Sequence, residues 1–154
     1  MRATAMGLTY DEFQPGARIV SHGVTVTESH IVQFAGLTGD HNPLHLDEAY
    51  AKGTIFGGRI AHGLLTLSLA VGLIAHYLYG TTIALLEAGG RFLKPVKIGD
   101  TIRVEAEVVD KRPSEKYDGG IVHLRLDVKN DRGDTVAVAE IKALVSRKRW
   151  QGST

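Results

Sequence analysis

The chain contains no cysteine. Disulfide frameworks, thiolate nucleophiles and cysteine-ligated zinc or iron–sulfur centres are therefore excluded. It also lacks a surplus of either charge, with 18 Lys and Arg against 17 Asp and Glu and a net charge of +1. That balance argues against a nucleic-acid partner, which requires a clear basic excess. No apolar run reaches membrane-spanning length, because the most apolar stretch is diluted by His62, Gly63, Thr66, Ser68, Gly72 and His76. The opening MRATAMGLTYDEF has no apolar core of a secretion signal and reaches acids at Asp11 and Glu12, so the expected location is the cytoplasm. There is no Walker A or G-x-G-x-x-G loop, no G-x-S-x-G around any serine, and no H-E-x-x-H.

What is present fits one domain over residues 1–154, since 154 residues at 44% apolar content can bury a sizeable core. Glycine is the over-represented residue, at 18 positions, where average usage is roughly 7%. Gly36, Gly39, Gly53, Gly57, Gly58 and Gly63 crowd into one segment, which predicts bends or close backbone approach there.

Residues 17–26 are rich in β-branched types and read as a strand. Thr27 is a helix N-cap, with Ile31, Phe34 and Ala35 on one face, and Gly36 and Gly39 ending the helix. Pro43 predicts a non-helical stretch from Asp40 to His45, before a turn of helix from Asp47 to Gly53 and a loop through Gly57 and Gly58. One long apolar helix follows over 61–79, with so little polar face that it must be surrounded. The remainder reads as sheet. A strand over 82–95 is expected to bulge at Gly89-Gly90, and strands near 102–108 and 122–129 alternate apolar and polar residues. Asn130-Asp131-Arg132-Gly133 is a hairpin turn into a last strand over 135–146. Four antiparallel strands with one apolar face and one apolar helix predict an α+β unit in which the sheet curls around the helix. The amino end of that helix, near His62-Gly63, offers free N–H groups able to hold a developing oxyanion.

The segment Gly39-Asp40-His41-Asn42-Pro43-Leu44-His45 places a carboxylate, an amide and an imidazole close together in a constrained loop. A water between Asp40 and His45 would have one partner to accept its proton and one to return a proton, with Asn42 fixing orientation. The same residues also make an ordinary turn, because Asp and Asn bond their own backbone and Pro starts bends. His41 and His45 are spaced like helical metal ligands, but Pro43 interrupts the helix this needs, so no metal site is expected. His62 is either a helix-start histidine in a packed corner, the slightly favoured reading, or a wall of the site; Ser68 is a candidate pocket residue; Arg91 and Lys94 are either ordinary surface cations or partners for a ligand phosphate. His76 is expected to be a hydrogen-bonded core residue, and Arg147-Lys148-Arg149 a solvated end. For Ser68 the competing expectation is a bond back to its own helix carbonyl.

Phe34-Ala35-Gly36-Leu37-Thr38-Gly39-Asp40-His41-Asn42-Pro43-Leu44-His45, followed by Ala51, resembles the signature of the MaoC-like (R)-specific enoyl-CoA hydratases. Ile60-Ala61-His62-Gly63-Leu64-Leu65 and the run from Arg91 to Asp100 are similar to two further landmarks of that family, and the likeness covers about 12–146. The resemblance implies a single hot-dog fold, a curved antiparallel sheet wrapped around a long central helix, assembled as a homodimer or higher oligomer. It implies that Asp40 and His45 hold the catalytic water, Asn42 positions that pair, and the Gly63 N–H holds the thioester oxygen. The implied reaction is reversible syn hydration of a trans-2-enoyl thioester to an (R)-3-hydroxyacyl thioester, on a short or branched chain. No metal or redox cofactor is implied, and coenzyme A or an acyl carrier protein is part of the substrate. A hot-dog thioesterase and a non-catalytic acyl-thioester-binding subunit are the alternative readings.

Overall fold

The computed structural model describes residues 7–150; the start of the amino-terminal stretch read for a targeting signal lies outside them. Short strands β1 (Arg18–Val20) and β2 (Val24–Thr25) precede helices α1 (Glu28–Thr38), α2 (Pro43–Leu46), α3 (Glu48–Lys52) and α4 (Gly63–Ile74). A 3-10 turn over Ala75–Leu78 leads into strands β3 (Thr82–Phe92), β4 (Thr101–Pro113), β5 (Gly119–Asn130) and β6 (Thr135–Ser146). The sheet is antiparallel in the order β1-β4-β5-β6-β3, with β2 also beside β4. This is the hot-dog fold: a curved six-stranded antiparallel sheet with a central helix.

Alternation sets the inner face. Ile102, Val104, Ala106 and Val108 of β4 and Val122, Leu124, Leu126 and Val128 of β5 are buried, while the residues between them are half-exposed. The small residues Ala137, Ala139 and Ala143 of β6 share one core with Leu65, Ala70, Leu73 and Ile74 of α4. Removing this much apolar surface from water is the main favourable term in folding.

Local departures from expectation each have a physical cause. The strand over 17–26 is broken at residues 21–23. Val20 faces Glu105 and Val24 faces Ile102, so this side carries one more residue than its partner. Ser21 fills the break, its hydroxyl accepting from the Val104 N–H. Gly36 lies inside α1, and Gly39 alone ends that helix, at a left-handed φ of 79°. The expected bulge at Gly89-Gly90 is absent, because those residues pair regularly with Glu140 and Ala139; the register shifts lie near Thr82–Glu87. Gly90 is needed for close approach instead, since a Cβ there would sit 2.7 Å from the Val138 carbonyl oxygen. Pro43 does not bar helix but begins it, at the first position of α2, where its missing N–H costs nothing.

The long helix is shorter than 61–79. Ala61 donates its N–H to the Val96 carbonyl, so the chain is still sheet-like before His62. Nor is α4 wholly surrounded: Leu64 is 62% exposed, and Ser68 and Gly72 share its open side. His76 is exposed in the 3-10 turn, beside Tyr77, rather than buried in the core. Among the described residues no helix is long and apolar enough to cross a membrane.

Candidate active site

The loop leaving α1 is built by side chains that satisfy individual backbone groups. Gly39 caps the helix by donating to the Ala35 carbonyl, and His41 Nε2 lies 3.1 Å from that same oxygen. His41 is thereby turned into a helix cap. Asp40 receives the Asn42 N–H at Oδ1 (3.3 Å), and Asn42 Oδ1 in turn receives the Leu44 N–H (3.0 Å). Asn42 is thus the N-cap of α2, and His45 is the third residue of that one-turn helix. The turn reading is borne out, and the helix that these turns start carries His45.

His45 is buried, with Nδ1 2.8 Å from the Ile60 carbonyl oxygen. A carbonyl only accepts, so the ring donates from Nδ1, and in the neutral ring the lone pair is then on Nε2. His62 is 2% exposed and stacks on His45, with ring centroids 3.9 Å apart and planes 28° apart. Its Nε2 lies 3.0 Å from the Asp40 carbonyl oxygen, and its ring also meets that of Phe34, tilted by 59° with centroids 4.9 Å apart. One carboxylate oxygen of Asp40 and one ring nitrogen from each of His45 and His62 all lie within 4.8 Å of one another. Two groups that far apart fit a single bridging water, whose two hydrogen bonds of about 2.8 Å span up to roughly 5.6 Å.

The same three residues have the composition of a metal site, yet the stacking works against it. Tetrahedral zinc needs both imidazoles to aim in-plane lone pairs at one point, whereas rings lying face to face at 3.9 Å aim theirs side by side.

Gly63 is the first residue of α4, so its N–H has no acceptor in its own helix. A Cβ there would meet the Phe92 ring at 3.3 Å, so the glycine admits that ring beside the helix end. A cavity of about 350 Å³ opens here, walled by Gly63, Thr66, Phe56, Ile60, Phe92 and Lys94 among others. Neither Asp40 nor His45 lines it. The His62-Gly63 corner joins the two regions.

The remaining candidates fall elsewhere. The Ser68 hydroxyl donates back to the Leu64 carbonyl (2.7 Å), as its helical context allows, and does not line the cavity. Lys94 stands at the cavity wall, paired with Asp134 at 3.1 Å. Arg91 lies instead along an open groove beside β3, with Glu87, Arg125 and Glu140. Sequence reasoning missed Arg59. It grips Glu28 with two hydrogen bonds (2.7 and 2.9 Å) and donates from Nε to the His45 carbonyl, tying the start of α1 to the end of α2. Its position immediately after Gly57-Gly58 was the available signal.

Residues 12–130 match the MaoC-like domain family. The chain is 35% identical over 117 residues to an (R)-specific enoyl-CoA hydratase of Rhodospirillum rubrum, covering 76% of this chain and 81% of that protein. It is 40% identical over 91 residues to a 3-hydroxybutyryl-CoA dehydratase of Methylorubrum extorquens, covering 59% of this chain and 58% of the relative. In that case the match spans little more than half of the relative's length. The unliganded R-hydratase of Pseudomonas aeruginosa superposes with a TM-score of 0.80 at 33% identity, covering 96% of this chain and 92% of that one.

Proposed function

This chain belongs to the MaoC-like domain family, and from that membership and the geometry of the Asp40–His45 corner we propose that it catalyses reversible hydration of a trans-2-enoyl-CoA to an (R)-3-hydroxyacyl-CoA. The observation that carries the reading is the convergence of the Asp40 carboxylate and a His45 ring nitrogen within 4.8 Å, next to the open amino end of α4.

In the hydration direction, a water held by Asp40 and His45 attacks C3 of the enoyl group. Its oxygen forms the new C–O bond while one of its protons passes to the pair. The C2–C3 π electrons move onto the conjugated thioester, and C2 then takes a proton back from the pair on the same face. Water is consumed, and the pair ends in its starting state. His45 contributes the Nε2 lone pair that its bond to Ile60 leaves free. Asn42 acts through the backbone, by starting the helix that carries His45. The Gly63 N–H and the α4 dipole stabilise the enolate oxygen; a donor of this kind is worth about 10²–10³ in rate. No resident metal or redox group takes part, and coenzyme A, or an acyl carrier protein in its place, enters with the substrate.

The substrate we propose is short or branched, with the acyl thioester passing the cavity at Gly63. Lys94 borders its path, and His62, which is buried, Ser68 and Arg91 are assigned no contact with it. The free edge of β3 exposes Leu85 and Leu86, and a bare apolar edge favours pairing with a second copy, so a homodimer is part of the proposal. A cytoplasmic location follows from the choice of acyl-CoA as substrate.

Crotonyl-CoA hydration, followed by loss of the conjugated-thioester absorbance, tests the reading. Asp40→Asn and His45→Ala are each expected to lower kcat by about 10²–10⁴-fold with the fold retained, the usual range for general acid–base groups. Full turnover in both variants overturns the assignment of the pair. Thiol release from a saturated acyl-CoA without hydration would mark a thioesterase instead, and saturable binding without turnover a binding subunit.

A further inference from the structure

His62 occupies the N-cap of α4, yet its side chain makes no capping hydrogen bond. A Ser, Thr, Asp or Asn at this place would accept from the N–H groups of the first turn. The histidine turns away from them, and its Nε2 reaches back 22 residues to the Asp40 carbonyl oxygen, 3.0 Å away. That oxygen only accepts, so the ring donates from Nε2. Nδ1 is buried and meets no partner, so a proton there would be an N–H with no acceptor. One face of the ring lies on His45 and another contact is with Phe34, leaving the residue 2% exposed. It therefore has no free surface to offer a substrate.

We propose that His62 is a positioning residue for this reaction: as its Nε2–H form it fixes the Asp40 backbone and backs the His45 ring, while leaving the first N–H groups of α4 uncapped for the thioester oxygen. The inference rests on the proposed hydratase reading. It goes beyond that reading by assigning a role to a buried side chain that touches neither water nor acyl group. One residue thereby sets the spacing between the two halves of the site, the water-holding pair and the oxyanion donor at Gly63.

Two substitutions separate its functions. His62→Phe keeps a flat ring against His45 and removes the donor; His62→Gln restores an amide N–H near the Nε2 position. His62→Phe is expected to lower kcat on crotonyl-CoA by about 10²-fold, the scale of a misplacement of order 1 Å. KM should stay within about 3-fold, since no ground-state contact is lost. His62→Gln should recover kcat to within about 10-fold of the unaltered protein. An unchanged kcat in the Phe variant overturns the proposal, as does a loss that falls on KM. A Gln variant that folds yet is as slow as Phe also overturns it.

Nitrogen-15 spectra of the histidine rings give a second readout that does not depend on turnover. They should show the His62 proton on Nε2 and the His45 proton on Nδ1, and the His45 signals should move in the Phe variant. A His62 proton on Nδ1, or an unmoved His45, overturns the proposal even if either variant folds poorly. If the unaltered protein hydrates no enoyl-CoA, the functional reading fails, while the spectra still decide whether His62 holds the pair.

Discussion

Two regions of this molecule are held together in different ways. In the sheet, strands β4, β5 and β6 bond to each other through backbone groups along nearly their whole length, and side chains contribute bulk and alternation. In the corner between Gly39 and Gly63, backbone bonds are mostly short-range, and several turns are fixed in addition by one polar side chain meeting one backbone group. Asp40 meets the Asn42 N–H, Asn42 the Leu44 N–H, His45 the Ile60 carbonyl, and His62 the Asp40 carbonyl. A ladder tolerates exchange of one apolar residue for another of similar volume. A chain of single contacts does not, because each partner removed leaves a specific group unpaired. On the proposed reading, stability therefore belongs mainly to the sheet, and geometry for chemistry to the corner.

The largest effect on stability should come from the sheet. Leu126 is fully buried at the centre of β5, and Leu126→Ala should cost about 2–5 kcal/mol in chemical denaturation. The turnover of the molecules that remain folded should be nearly unchanged. A large loss of kcat per folded molecule, with stability intact, would reverse the division drawn above. A smaller effect on stability, with a larger one on chemistry, is expected from Asn42→Ala. Losing the α2 cap should cost only about 1 kcal/mol, yet kcat should fall because His45 rides on that helix. Asn42→Ser, which retains a capping oxygen, should recover most of the activity. If it does not, the amide contacts the water or substrate directly.

The same contrast explains which features were legible in the sequence. The strands near 102–108, 122–129 and 135–146 were readable because burial on one face imposes a period of two, and each observed strand contains the expected run. The residues Asp40, Asn42, His45 and Gly63 were readable as a set because their types in that order match a family signature, and the structure brings the first three into one hydrogen-bonded loop. The single contacts were not readable. Nothing in the spacing shows that His62 reaches Asp40 across 22 residues, or that Arg59 joins Glu28 to the His45 carbonyl. Pro43 misled for a related reason: proline is excluded from helix interiors but welcome at their first position, and only the Asn42 cap decides which applies. The glycine pair at Gly89-Gly90 signalled close approach of a neighbouring backbone, which composition alone does not distinguish from a bulge.

The smallest expected effect lies on the acid side, and it too separates the regions. Glu105, on the outer face of β4, is held below its ordinary value of 4.5, chiefly by its hydrogen bond from Lys129. Asp134, at the β5–β6 turn, is held below 3.8, first by Lys94 and then by Asn130. A carboxylate whose folded pKa is depressed contributes stability that is complete above its unfolded value and is lost as pH falls through the folded one. These two groups should therefore leave the thermal midpoint flat from neutral pH down to about 5 and lower it below 4.5 and 3.8. The Lys94–Asp134 pair is solvent-exposed and the Glu105–Lys129 pair half-exposed, so the decline should shrink in added salt. Glu105→Gln should flatten the acid limb slightly and leave crotonyl-CoA hydration at neutral pH unchanged. An acid limb identical to that of the unaltered protein would mean that the Glu105–Lys129 pair contributes nothing. A changed kcat would mean that the outer face of the sheet is coupled to the corner after all.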